Sequence, residues 1–307
     1  MAGVISTGTS PKALWPGIFS WWGRGYNESE QEWLPLFDTY DSKKHYEEVV
    51  QITPFGLAPQ KAEGTGVLYT SEVQGPVTRY THVSYALGYI CTREELDDNL
   101  YSEVSQSRAR ALGFSFRQTK ENVGANVYNR AFNSSFLGGD GVSLLSTAHP
   151  LTLGGTFSNK LAVDADLSEA SLEDLTIQII NTTDDAGNRI NLMPRSLIIA
   201  PAEIYNAQRI LKSTFQSGTA NNDINALNHM NVFPEGIKMN RYLTSPHAFF
   251  IRTDIGGRGH GMTHFSRIGV EFTQDNDFDT ENVKYKGYER YSFGWTDPRA
   301  LFGSNGP

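Results

Sequence analysis

Apolar and polar residues alternate along several stretches of this chain, and each alternation predicts an element. Val83, Tyr85, Leu87 and Tyr89 alternate with His82, Ser84, Ala86 and Gly88, the period of a half-buried strand. Val67-Leu68-Tyr69-Thr70 is strand-like too, and Gly75-Pro76 between them marks a turn. The predicted element is a long β-hairpin over 49–90 with a flexible, polar tip. Thr92-Arg93-Glu94-Glu95 then reads as a capping box, with the threonine as N-cap and Glu95 reaching back. Leu96, Leu100, Val104, Ala111 and Phe114 follow at helical spacing, and Val123, Val127 and Ala131 resume it. One helix over 92–133 would be roughly 60 Å long at ~1.5 Å per residue, with soft points at Gly113 and Gly124.

Beyond it, Ser168 to Ile180 forms a second amphipathic helix with Leu172, Leu175 and Ile179 on one face. Ser196 to Ala200 is a buried strand, and Pro201 suits the first turn of a third helix carrying Ile204, Ile210 and Leu211. Strand-like stretches recur at 231–233 and 248–252, which together make a compact α/β module over 166–261. Gly269 to Thr273 and Val283 to Trp295 are strands around an acidic turn at 275–280, with Gly287 the candidate for a bulge. The first 48 residues show little periodicity yet hold four of the five tryptophans. A segment of large aromatics without a core of its own packs on something else, either this chain or a neighbouring one. It reads as an extended arm whose deletion (Met1 to Tyr40) should leave a folded subunit.

Composition narrows the function mainly by exclusion. A net charge of −8 is the wrong sign for a protein that grips free nucleic acid. Cys91 is the single cysteine, which rules out an intrachain disulfide and a cysteine-based metal cluster. The N-terminus has no basic-then-apolar signal, and no apolar run approaches the ~20 residues of a membrane span, so a reducing cytoplasm is the expected setting. His260 and His264 have the spacing of metal ligands on a helix face, but Gly256 to Gly259 argues against a helix there. Asp275, Asp277 and Asp279 imitate a calcium loop that has Thr280 where glycine is needed and Lys286 where glutamate is needed. Asp97-Asp98 and Asp184-Asp185 read as solvated surface rather than an acid–base pair. Phosphate-loop, dinucleotide and nucleophile-elbow motifs are absent. No catalytic, cofactor-binding or metal-binding residue is therefore assigned, and no cofactor is expected.

The C-terminal stretch carries a resemblance. Glu271-Phe-Thr-Gln-Asp-Asn-Asp-Phe-Asp-Thr-Glu-Asn282, Lys284-Tyr-Lys and Arg290-Tyr-Ser-Phe-Gly-Trp-Thr-Asp-Pro-Arg-Ala-Leu-Phe-Gly303 resemble the tail of Mu-type phage major head subunits, within the wider Hong Kong 97-type capsid lineage. Leu145-Ser-Thr-Ala-His-Pro150 and Ser196-Leu-Ile-Ile-Ala-Pro-Ala-Glu-Ile-Tyr205 agree. The resemblance implies an α+β, Hong Kong 97-like fold. Its parts would be an N-terminal arm (1–48), an extended hairpin loop (49–90), a peripheral domain with a spine helix (91–165), an axial domain (166–261) and a return to the peripheral domain (262–307). It further implies a non-enzymatic major capsid protein that assembles as pentamers and hexamers into an icosahedral head around double-stranded DNA, in the virion. Portal, scaffolding and decoration proteins would be its partners, and no membrane is involved. Some relatives crosslink lysine to asparagine under a glutamate; Lys61 and Glu63 fall in the predicted hairpin, where a charged loop is the simpler reading. An encapsulin-like compartment shell is the alternative of the same fold, and a stand-alone α/β enzyme that of another class.

Overall fold

The computed structural model describes residues 11–98, 101–216, 223–277 and 279–306. The aromatic segment at the start is helical over α1 (Pro11–Tyr26) and then runs through β1 (Asp38–Asp41). The hairpin is β2 (Tyr46–Ile52) and β3 (Gln74–Thr81), followed by β4 (Val83–Cys91). Two helices come next, α2 (Arg93–Asp97) and α3 (Tyr101–Asn129), and a small ribbon of β5 (His149–Pro150) and β6 (Thr156–Phe157). The second half contains α4 (Glu169–Ile180), β7 (Pro194–Ile199), α5 (Ile204–Lys212), α6 (Ala226–His229), β8 (Ile237–Met239) and β9 (Phe249–Thr253). The long β10 (Met262–Asn276) and β11 (Val283–Trp295) and the short β12 (Leu301–Ser304) complete it.

The elements sort into two main sheets. One has the order β1-β10-β11-β4, and α3 crosses its face beside α1, whose Ile18 and Trp22 share the core with the sheet; the other is β12-β9-β7-β8, covered by α4 and α5. Alternation explains the strands: Val283, Tyr285, Gly287, Glu289 and Tyr291 all turn inward, while Lys284 and Lys286 face solvent. The helix α4 starts where sequence places it, because the Ser168 hydroxyl accepts from the Ser171 N–H and Ser171 answers in kind. Its Leu172, Leu175 and Ile179 sink into the second core beside Leu197, Ile199, Phe249 and Phe302.

Several expectations need correction. The segment read as an extended arm is a helix over Pro11–Tyr26, and it packs on its own chain: Trp22 stacks on Phe272 at 5.3 Å between ring centres. Trp22, Trp33, Leu36 and Phe37 are core residues, so deletion of Met1 to Tyr40 would remove part of the core and is not a clean test of an arm. The hairpin is β2 paired with β3, and Val83–Cys91 pairs with β11 instead. The 92–133 helix is two helices, the longer spanning 29 residues, or roughly 44 Å at ~1.5 Å per residue. Thr92 caps α2 through the Glu95 N–H at 3.3 Å, while the Glu95 carboxylate pairs with Arg108 of α3 at 2.8 Å. The buried face of α3 carries Ala109, Leu112, Phe116, Ala125 and Tyr128, whereas Phe114 is largely exposed. No strand forms at 231–233, where Asn231 turns left-handed; the strand lies at Ile237–Met239. The tail also divides, because β12 pairs antiparallel with β9 in the second sheet.

Glycines decide how closely the layers approach. A Cβ on Gly113 would lie 2.4 Å from the Trp22 carbonyl oxygen, and one on Gly25 would lie 2.1 Å from that of Arg110. Gly287 marks no bulge, since its register with Phe272 continues on both sides; a Cβ there would lie 2.5 Å from the Phe116 ring of α3. The bulges of this ladder fall between Ser266 and Glu271. Gly113→Val should therefore push α1 off α3 and cost about 1–3 kcal/mol. A urea midpoint equal to wild type would refute the close crossing.

Candidate assembly surface

The residues that sequence offers as chemistry are scattered, and most are used structurally. His264 lies on β10, buried between Trp33 and Phe293 with 4.5 Å between ring centres in each case. Burial, with the Lys120 ammonium nearby, pushes its imidazole down to about 3. His260 sits in the turn before β10 and, with Asp184, Asp185, Asp297 and Arg299, lines a cleft beside the loop end of β2. Asp277 pairs with Lys284 at 2.6 Å and accepts the Asp279 N–H at 3.2 Å, so its carboxylate is engaged within the chain. Among the described residues no group of three or more His, Cys, Asp or Glu side chains could hold a metal. Asp184 and Asp185 are not idle surface. Asp184 accepts the N–H groups of Ala186 and Asn188, and Asp185 accepts from buried Arg299 at 2.8 Å and from Thr152 at 2.8 Å. Asp98 ends α2 in the open, and the side chain of Asp97 lies outside the described residues. Cys91 is fully buried in the core beneath α3. Lys61 and Glu63 stand in the exposed loop.

The α3 seam is polar at its centre. Lys120 is paired with Glu289 of β11, both buried, and its ammonium lies 5.0 Å from the Trp33 ring centre and 4.8 Å from that of Tyr291. Burial lowers the Lys120 pKa, and Glu289 opposes the shift. The adjacent Glu121 accepts the backbone N–H groups of Glu32 at 3.1 Å and Trp33 at 2.9 Å. Burial raises its carboxyl to about 7 against the pull of those bonds. Tyr128 donates to the Leu36 carbonyl at 2.7 Å. Lys120 and Glu121, and Tyr128 about two turns further along α3, thus hold the segment that follows α1.

The exposed apolar surface stands elsewhere. Between β2 and β3, residues 53–73 form neither strand nor helix, although Leu57, Leu68 and Tyr69 are 85%, 72% and 90% exposed. Phe55 and Val67 are exposed beside them. The loop is pinned only near its ends, by the Thr53 N–H to the Val73 carbonyl at 3.0 Å and by Asn188 to the Phe55 carbonyl at 3.0 Å. A second exposed group, Tyr205, Phe215, Ile224 and Met230, lies on the α5 and α6 side of the second module. Such concentrations of large apolar groups in water mark surfaces built to be covered.

A family profile described as "Phage capsid protein" matches residues 75–303. The chain belongs to this phage capsid protein family. No curated protein matches it. Among solved structures, the capsid of cyanophage P-SCSP1u is 11% identical, with 87% of this chain and 85% of that one covered and a TM-score of 0.54. Mycobacterium phage Patience gives 13%, 99%, 89% and 0.53. The virus-like particle from Pyrococcus furiosus gives 12%, 95%, 99% and 0.52. At these identities the likeness shows the fold alone, and that fold is the Hong Kong 97-like capsid fold. A capsid protein builds a shell, so the surfaces by which copies meet carry its function.

Removing one partner of a buried ion pair strands the other, so Lys120→Ala should cost about 3–5 kcal/mol in chemical denaturation. A loss below about 1 kcal/mol would show that the pair is not buried as described. Glu121 titrates higher in the folded chain than the ordinary 4.5. Its contribution to stability is therefore full below about pH 4.5 and lost as the pH rises through about 7. The stability of wild type relative to Glu121→Gln should fall over that window, and a pH-independent difference would contradict it.

Proposed function

We propose that this chain is a major capsid subunit of the Mu type, assembling as pentamers and hexamers into an icosahedral head around double-stranded DNA, without catalysing a reaction. The observation that carries this is the loop 53–73, whose large apolar side chains have nothing of their own chain to cover them. Covering such surface on a neighbouring subunit gains roughly 25 cal/mol per Å². The gain is repeated around every ring, so individually weak contacts sum to a stable shell. The net charge of −8 fits a container that encloses DNA without gripping its phosphates. The domain scheme inferred from sequence, with an axial module at the ring centres, agrees with a second exposed apolar group at Tyr205, Phe215, Ile224 and Met230. Portal, scaffolding and decoration proteins complete the proposal as partners.

One observation favours a second reading, a compartment that houses protein cargo. A groove open to solvent runs between α1 and α3, lined by Trp21, Arg24, Glu28 and Arg110 beside other α1 residues. Contents separate the two. Nuclease-resistant DNA inside shells from the native source supports the head, and a single co-purifying enzyme in DNA-free shells supports the compartment.

Replacing residues 55–70 with a short Gly-Ser linker should leave the unfolding free energy from urea titration within about 0.5 kcal/mol of wild type. The same variant should form no closed shells in negative-stain electron microscopy. Normal shells from it would remove the loop from assembly, and a stable wild-type monomer under all conditions would sink the proposal itself.

A further inference from the structure

The β2–β3 hairpin meets the main sheet at two crossings. Residues 42–45 carry the chain from β1 into β2, and His82 carries it from β3 into β4. Two side chains tie these crossings together. Buried His82 reaches Ser42 Oγ through Nε2 at 3.1 Å and Ser292 Oγ of β11 through Nδ1 at 3.0 Å. Ser42 gives its own proton to Glu47 Oε1 at 2.8 Å, so it accepts from His82 Nε2–H. In the neutral ring Nδ1 is then the acceptor of the Ser292 hydroxyl. Arg290 of β11 makes the second tie. Its Nε donates to the His82 carbonyl at 3.4 Å and its Nη2 to His45 Nδ1 at 3.2 Å. A guanidinium only donates, so that bond exists only while His45 keeps a ring lone pair.

We propose that His45 and His82 form an acid-released clasp: as neutral rings they hold the base of the hairpin to the sheet, and protonation loosens it. The groups around them set the direction. His82 faces Glu47 from β2, Arg290 from β11, Arg267 from β10 and His45, and of these only Glu47 favours a cation. Burial and the two guanidinium groups hold His82 below the usual imidazole range. Its contribution to the clasp is complete above the ordinary value of ~6.5 and is lost as the pH falls below it. His45 is exposed and faces Arg290 and the Tyr46 ring; a proton on Nδ1 converts its acceptor into a donor opposite a permanent cation. A third anchor carries no charge. Tyr80 is buried, with its hydroxyl 2.7 Å from Thr296 Oγ1, so acid loosens the base of the hairpin without detaching it.

Hydrogen exchange read by mass spectrometry on the full chain, with intrinsic rates corrected, tests the clasp between about pH 7.5 and about pH 5. Protection over 42–52 and 74–82 should fall about tenfold at the acid end while β7 and β9 keep theirs. His45→Gln, whose amide oxygen still accepts but does not titrate, should remove part of that response, and H45Q/H82Q all of it. Arg290→Gln should reproduce the loosened base at neutral pH. If the double variant does not fold, H45Q and R290Q carry the test between them. A wild-type hairpin indifferent to pH overturns the clasp, as does full wild-type response in H45Q/H82Q or unchanged neutral protection in R290Q.

Discussion

Main-chain atoms of α1 and α3 touch, and that contact sets the spacing of everything around them. It exists because Gly25 and Gly113 put no side chain where the Arg110 and Trp22 carbonyl oxygens lie. On the neighbouring face of the helix, Gly287 lets the Phe116 ring settle directly on β11. With both distances short, α3 is wedged tightly against both a helix and the sheet. Its side chains then reach both the sheet and the 32–36 segment, and Tyr128 packs on Phe250 of β9, so the first sheet, the aromatic N-terminal segment and the second sheet meet along one helix.

The wedge buries charge. Lys120, Glu121, Glu289 and Arg117 are all buried, an arrangement that gains little over an apolar seam of equal volume. Its effect is on uniqueness. A one-residue slip of β11 would carry Glu289 to the opposite face and leave Lys120 buried without its partner. A rotation of α3 would likewise cost Glu121 the two N–H groups that it accepts. Large misalignments are therefore expensive, which suits a subunit whose outer surfaces must meet copies of themselves in fixed geometry.

The sequence made some of this legible and hid the rest for physical reasons. Strand β11 and helix α4 were readable because their alternation and caps are local, and the tail motif, which resembles the Mu type, pointed to a phage capsid, the coarser family that the profile match established. The buried face of α3 was misread because it carries Arg117, Lys120 and Glu121, so hydrophobic periodicity turned attention toward Phe114, on the exposed side. Partner choice was equally hidden. Val83–Cys91 has the right pattern for a strand, but whether it pairs with its neighbour in sequence or with β11 depends on contacts about two hundred residues away. Asp185 looked like surface until Arg299 closed on it from the far end of the chain. In the candidate surface the loop's position was legible, while its apolar exposure was not, since only a fold shows what remains uncovered.

The placement of β12 bears on when this subunit can finish folding. Leu301–Ser304 lines the edge of β9 and contributes Phe302 to the second core and Leu301 to the neighbouring one, so the second sheet lacks a strand until these residues leave the ribosome. At that moment the 300 residues before β12, the apolar loop included, have already been made. Contacts this distant in sequence close slowly. A nascent chain thus presents its sticky surface before its frame is locked, and the interval between the two is one in which premature contacts with other copies would be costly.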